Sequence, residues 1–207
     1  MAGMTRCRFR GEIVGIGSES GIRIVVGRWQ ESPLGSFADA MVETAEGERI
    51  LLAPSLEVSQ FIAATYSFDS VRIEDVRIED VRVAEAPDHW SVLSESLVLD
   101  VSFGDRTLLG RLLRLVPTRV AQSPVWCTVT DPVARVALRG VRTRGSAGAG
   151  RREWYGATDH RIVTDVSGSF DGVELGGLRP VWPPPRFGFS STPAAPSITQ
   201  VVTTVAW

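Results

Sequence analysis

Val98-Leu99-Asp100-Val101-Ser102, then Phe103, a turn and Leu109-Gly110-Arg111-Leu112, is echoed later in the chain by Val163-Thr164-Asp165-Val166-Ser167, then Phe170, a turn and Leu175-Gly176-Gly177-Leu178. In the first stretch Leu93, Leu97, Leu99, Val101 and Phe103 fall on one face of an alternating pattern and Ser94, Ser96, Asp100 and Ser102 on the other, which is the signature of a half-buried strand. Residues 107–116, rich in leucine, read as its more buried partner strand. In the second stretch Asp171-Gly172 is the stronger signal, since both central residues of a type I′ turn take positive φ; it pairs Phe170 with Val173. Duplication and convergent sheet patterning both predict packed antiparallel hairpins.

Working outward, the same vocabulary recurs. Residues 9–16 and 22–29 are rich in β-branched side chains and flank Gly17-Ser18-Glu19-Ser20-Gly21, a turn composition. Residues 37–44 and 49–52 flank Glu46-Gly47 and read as a second hairpin. Ser55 caps a short helix over 56–64, with Val58, Phe61 and Ile62 on one side. Val71-Arg72-Ile73-Glu74-Asp75 is repeated directly as Val76-Arg77-Ile78-Glu79-Asp80. An odd repeat length sends the Val/Ile pair to opposite faces in successive copies, so the repeat reads as a strand, a kink and a second strand. Asp131-Pro132, closed by Gly140, reads as a helix of one or two turns. Residues 152–155 and those around 160 return to strand. Six prolines fall between Pro180 and Pro196; they exclude a ladder interior and predict an extended strap over 180–197, anchored by Trp182, Phe187 and Phe189. Residues 198–205 then form a last strand closing a sheet edge.

These elements sum to one domain over residues 1–207: an all-β fold, an antiparallel barrel or two-sheet sandwich of about ten strands, with one or two short helices. A chain of 207 residues buries enough surface to do without disulfides or a structural metal, and Cys7 and Cys127 read as two buried thiols or as one bridge. No unbroken apolar run is long enough to span a bilayer and no secretory pattern opens the sequence, so the expectation is a cytoplasmic protein without a membrane partner. The net charge of -2 carries no basic footprint for nucleic acid.

The 22 basic residues are all arginine; the chain has no lysine and no asparagine. Schiff-base catalysis and a Walker phosphate loop are thereby excluded. Gly15-x-Gly17-x3-Gly21 is not the dinucleotide fingerprint, because the spacing is one residue too long and a strand follows. No GxSxG elbow occurs. Two histidines and two isolated cysteines do not compose a metal set, and no cofactor is expected.

What remains are single residues. His160 alternates with Ile162, Val166 and Phe170, so it reads either as a satisfied core histidine or, with those three, as the wall of a pocket. Glu95 falls between Leu93 and Leu97 on an apolar face, where desolvation would raise its pKa unless an arginine pairs it. Glu95 with His160, or with His89 at the start of a strand, is the candidate acid–base pair. Arg142, Arg144, Arg151 and Arg152 gather around a glycine-rich loop and are candidates for anion contact.

Ser32-Pro33-Leu34-Gly35-Ser36-Phe37 is similar to a segment of acetoacetate-decarboxylase-like proteins, which are also rich in β-structure. The likeness covers six residues, and the Schiff-base lysine on which that family's decarboxylation depends has no counterpart here. The leading expectation is a β-barrel-like protein whose interior accepts a small apolar molecule. The alternatives are a cofactor-independent isomerase or lyase using the His/Glu pair, and an interaction protein that joins two copies into a homodimer.

Overall fold

The computed structural model describes residues 6–81, 88–137, 141–146, 150–188 and 190–206. Its strands are β1 (Arg6–Ser18), β2 (Arg23–Glu31), β3 (Phe37–Glu43), β4 (Arg49–Ala53), β5 (Ser70–Ile73), β6 (Arg77–Val81), β7 (His89–Leu93), β8 (Leu97–Arg106), β9 (Arg144–Ser146), β10 (Arg152–Phe170), β11 (Val173–Glu174), β12 (Leu178–Arg179) and β13 (Ser197–Ala206). The helices are α1 (Leu56–Ala63), α2 (Leu108–Leu113), α3 (Thr118–Ala121) and α4 (Pro124–Ala137). The chain is mostly β as expected, with four helices rather than one or two.

Ten strands form one curled sheet in the order β5-β4-β3-β2-β1-β13-β10-β8-β7-β6, a half-barrel antiparallel throughout except for β4 beside β5. Its concave face is a packed core. Val14, Ile16, Ile24, Val26, Val42, Ile50, Leu52, Trp90, Val92, Leu97, Leu99 and Val101 meet there at no more than 2% exposure, with Phe103, Val166 and Phe170 alongside. At roughly 1.5–3 kcal/mol for each large aliphatic or aromatic side chain removed from water, this face is the main source of stability.

The direct repeat supplies both edges of the curl. β5 and β6 are its two copies, separated by residues 74–76, and the five-residue period does reverse the faces. Val71 and Ile73 are exposed, whereas Val76 is buried and Ile78 packs against the core. Side chains stitch across the gap: Arg28 on β2 reaches Asp80 on β6 at 3.3 Å, and Arg72 on β5 meets both oxygens of Asp171 at 2.7 and 2.9 Å.

Several local readings hold. The hairpins β1–β2 and β3–β4 form, Ser55 caps α1 by accepting the Val58 amide at 3.2 Å, and Asp171 and Gly172 turn with φ of 50° and 75° so that Phe170 faces Val173. Cys7 and Cys127 are both free thiols.

Others are corrected. Residues 108–113 are helix, not strand: Thr107 caps α2 by accepting the Gly110 amide at 3.0 Å, and the leucines at 108, 109, 112 and 113 have helical as well as strand spacing. The strand that resembles β8 pairs with it directly, Val101 opposite Val166 and Asp100 opposite Ser167. Asp131 is not an N-cap. It lies within α4, which starts at Pro124, and its buried carboxylate accepts the Thr143 amide at 3.0 Å; Gly140 lies outside the described residues. The last strand, β13, closes no edge but sits centrally between β1 and β10. In the strap Phe187 is buried and Trp182 is 65% exposed, so Trp182 is no anchor; Phe189 lies outside the described residues.

Candidate functional site

The second face of the sheet is also covered, which explains why β1 and β13 are buried on consecutive residues rather than on alternate ones. Helices α1, α2 and α4 and strap residues 185, 187 and 190–193 lie over it and border a cavity of about 410 Å³. The cavity floor is a grid of cross-strand rows. One runs Phe37, Trp29, Gly11, Val201, Ala157; the next runs Asp39, Gly27, Ile13, Thr199, His160; a third pairs Met41, Val25, Gly15 and Ser197. Phe9, Thr203 and Tyr155 form a fourth. Leu109, Leu113, Trp126, Phe61 and Phe187 contribute from above. The surface of the lining is largely apolar and aromatic, and polar side chains punctuate it.

Two bulges decide which residues reach this face. β10 carries an extra residue, Thr158, between Ala157 and Asp159 opposite β13, and another, Thr164, between Val163 and Asp165 opposite β8. Each bulge reverses the alternation. Each bulge threonine donates to a carbonyl of the neighbouring strand, Thr158 to Gln200 and Thr164 to Ser102. Glu153, Tyr155, Ala157 and His160 therefore all face the cavity, whereas Val163, Val166 and Phe170 face the packed interior.

At one end of the cavity His160 is held by the cap of α2. Thr107 Oγ1 accepts the Gly110 amide and lies 2.9 Å from His160 Nδ1 and 3.3 Å from the His160 carbonyl. Both contacts are met together when Nδ1 donates to Thr107 and Thr107 donates to the carbonyl, leaving Nε2 an acceptor; in the other tautomer Thr107 donates to Nδ1 and Nε2 carries the ring proton. Burial holds the imidazole below its ordinary pKa, against the attraction of the Asp159 charge; it is neutral near pH 7. Its Nε2 is buried without a hydrogen-bond partner.

At the other end lie two carboxyls. Asp39 accepts from Trp29 Nε1 at 2.8 Å, and burial pushes its pKa up to about 7 although that hydrogen bond works in the opposite direction. Gly27 between them leaves the room, since a Cβ there would lie 2.6 Å from Asp39 Oδ1. Glu153 Oε2 lies 3.1 Å from the Tyr66 hydroxyl and 2.9 Å from the Tyr155 hydroxyl, and the two hydroxyls also contact each other, so the two phenolic protons serve two of these three contacts. Burial raises the Glu153 pKa despite those hydrogen bonds and the nearby Arg151 charge. Burial raises both phenols as well, with the Glu153 charge as the next cause.

Besides His160 Nε2, the hydroxyls of Ser191, Thr192, Ser197 and Thr203 are buried without a partner among the described residues, and all five side chains line this cavity. Thr192 reaches the floor because β1 has a glycine beneath it: a Cβ on Gly15 would lie 2.6 Å from the Thr192 side chain. Ser197 is directly across from Gly15, so Thr192, seated over Gly15, lies beside the Ser197 position of the grid, which is diagonal to His160.

The residues singled out from sequence are dispersed. His160 is in the cavity, but the Thr164 bulge sends Val166 and Phe170 into the core, and Ile162, which precedes that bulge, is 40% exposed. Glu95 is exposed at the turn between β7 and β8, where Ser94 bonds back to Leu97 at 2.8 Å and ends the alternation; it lines a polar hollow with Arg72, Glu74 and Asp171. His89 is half-buried at the start of β7. No Glu95–His160 or Glu95–His89 pair is assembled. Of the arginines, Arg142 reaches the cavity, Arg144 and Arg152 are exposed, and Arg151 lies over the Phe61 ring at 4.8 Å while donating to the Phe61 carbonyl and Thr65. Sequence reasoning missed Asp39 and Glu153. The signal was present: Asp39 alternates with Phe37 and Met41, and Glu153 with Tyr155 and Ala157.

No protein-family model and no curated protein matches the chain. Among solved structures, a candidate AttH from Nitrosomonas europaea aligns over 98% of this chain and 51% of its own length, at 10% identity and a TM-score of 0.28. The chain thus spans about half of that protein.

Proposed function

We propose that this protein binds a small, largely apolar molecule carrying an oxygen acceptor, held between the sheet and its helical cover rather than inside the curl of the barrel. One observation carries this reading: five buried polar atoms without partners among the described residues belong to side chains that line a single, largely apolar cavity. A buried polar group left unpaired costs roughly 1–3 kcal/mol, so a fold that keeps several together is offset elsewhere or has a ligand to meet them. The cavity volume of about 410 Å³ lies within the roughly 300–1,000 Å³ typical of small-molecule sites. His160 Nε2 donates or accepts according to the tautomer, the Ser197 and Thr192 hydroxyls do either, and the aromatic and aliphatic floor supplies the affinity.

The test compares a medium-chain methyl ketone with the alkane of equal length by thermal denaturation. A ligand that binds the folded state alone raises the midpoint in proportion to its occupancy. The ketone is expected to raise it and to outperform the alkane, because only the ketone offers an acceptor to the unpaired hydroxyls that line the cavity. No shift with either compound across this chain-length class removes the reading.

A further inference from the structure

The cover of the cavity is apolar on both faces. Leu109 and Leu113 of α2 and Trp126, Thr130 and Ala134 of α4 look inward on the cavity. On the outer side Leu108 is 73% exposed, Leu112 54%, Leu115 78%, Val120 42%, Val125 74% and Val129 64%. A helix packed on a sheet ordinarily turns a polar stripe outward; here the outward positions at 108, 112 and 115 and at 125 and 129 are aliphatic. The charged residues among them are of one sign. Arg111, Arg114 and Arg119 are exposed, and no aspartate or glutamate occurs from Thr107 to Thr130. Of the flanking carboxylates, Asp105 is exposed, Asp131 is buried, and Asp159, whose pKa the Arg114 charge helps to lower, is bound by Arg106 at 2.7 and 2.9 Å.

We propose that the outer face of α2–α4 docks on an anionic lipid surface, from which the cavity beneath the same helices takes up its apolar ligand. Charge complementarity selects this occupant. A second copy seated on the face about a two-fold axis would bring the same three arginines together with little carboxylate to oppose them. An anionic bilayer accepts both components at once, the leucines and valines entering the headgroup boundary and the arginines meeting phosphate. The docking step rests on the exposed face alone, and the uptake step rests on the cavity reading above.

The experiment is co-sedimentation of the full chain with vesicles of phosphatidylglycerol and phosphatidylcholine in equal parts, and with phosphatidylcholine alone. Binding is expected to the mixed vesicles and to weaken with salt. Each arginine near an anionic surface contributes about a fivefold gain, so Arg111→Gln with Arg114→Gln and Arg119→Gln lowers partitioning on the order of a hundredfold. Leu112→Gln with Leu115→Gln lowers it by about tenfold or more. Both sets of positions are exposed, and circular dichroism verifies that the variants fold. Vesicles carrying a medium-chain methyl ketone then yield protein that retains the ketone after separation.

A chain that stays in the supernatant with mixed vesicles overturns the proposal, as does a Leu112→Gln/Leu115→Gln variant that binds them as well as the parent. A dimer dissolved by that same variant, without vesicle binding, assigns the face to a second copy and overturns it too. Vesicle binding combined with no thermal shift from the ketone in solution leaves docking standing and removes the cavity reading alone.

Discussion

Asp39 shows most directly how one residue's burial becomes a property of the whole protein. Its pKa of about 7 exceeds the unfolded value of 3.8, so between those limits the folded state holds a proton that the unfolded state has released. The contribution of Asp39 to stability therefore falls as pH rises from about 4 to about 7 and is level on either side, a loss on the order of 4 kcal/mol at about 1.36 kcal/mol per pH unit. Asp39→Asn keeps an acceptor for Trp29 and removes the titration. Urea denaturation across that range is expected to show a flatter pH profile and a more stable variant at pH 8; an unchanged slope would place the proton elsewhere. Thr203→Val acts in the other sense. It replaces a buried hydroxyl without a partner by an isosteric methyl, so the free protein is expected to gain about 1 kcal/mol while the midpoint shift produced by the ketone shrinks. Equal shifts in parent and variant would take Thr203 out of the ligand's reach.

At the scale of elements, the sequence was readable wherever strand period and turn chemistry agreed. The β1–β2 and β3–β4 hairpins, the Ser55 cap, the Asp171-Gly172 turn and the reversal of faces within the five-residue repeat all follow from local rules. The failures have physical causes. Leucines at 108, 109, 112 and 113 satisfy both periods, and the deciding feature, the Thr107 cap, is a hydrogen bond that composition hardly advertises. Thr158 and Thr164 look like ordinary strand residues, yet each adds one residue against its neighbour and so redirects every side chain beyond it; this is why plain alternation places His160 in the barrel interior with Val166 and Phe170, whereas it lies on the covered opposite face. Glu95 was assigned a face by carrying alternation through a turn. The helix misread as strand also matters for the site, because α2 docks on β10 at Gly110, where a Cβ would lie 2.2 Å from the His160 carbonyl oxygen. Gly110→Ala gains up to about 1 kcal/mol of helix propensity but forces the helix off the strand at a cost of about 1–3 kcal/mol. The expected result is a net loss in urea denaturation together with weaker ketone binding, since the Thr107–His160 contact moves with the helix. A variant as stable as the parent would mean that α2 yields freely.

For the molecule as a whole, the sheet uses its two faces differently. The concave face is filled by its own side chains and gives stability, while the opposite face, beneath helices and strap, retains space and unpaired polar atoms. Sequence pattern alone could not distinguish these faces, because both are apolar and both give buried positions; only the three-dimensional course of the helices and the strap determines which one is filled. The claim that the covered outer face is the binding site is tested most directly by NMR titration of the full chain with the medium-chain methyl ketone, following side-chain methyl groups and the histidine rings. The account predicts saturable shifts at Ile13, Met41, Val201 and the His160 ring, with Val14, Ile24 and Leu99 of the packed interior unmoved. Saturable shifts confined to the interior residues, or none at the cavity residues at saturating ketone, would contradict it.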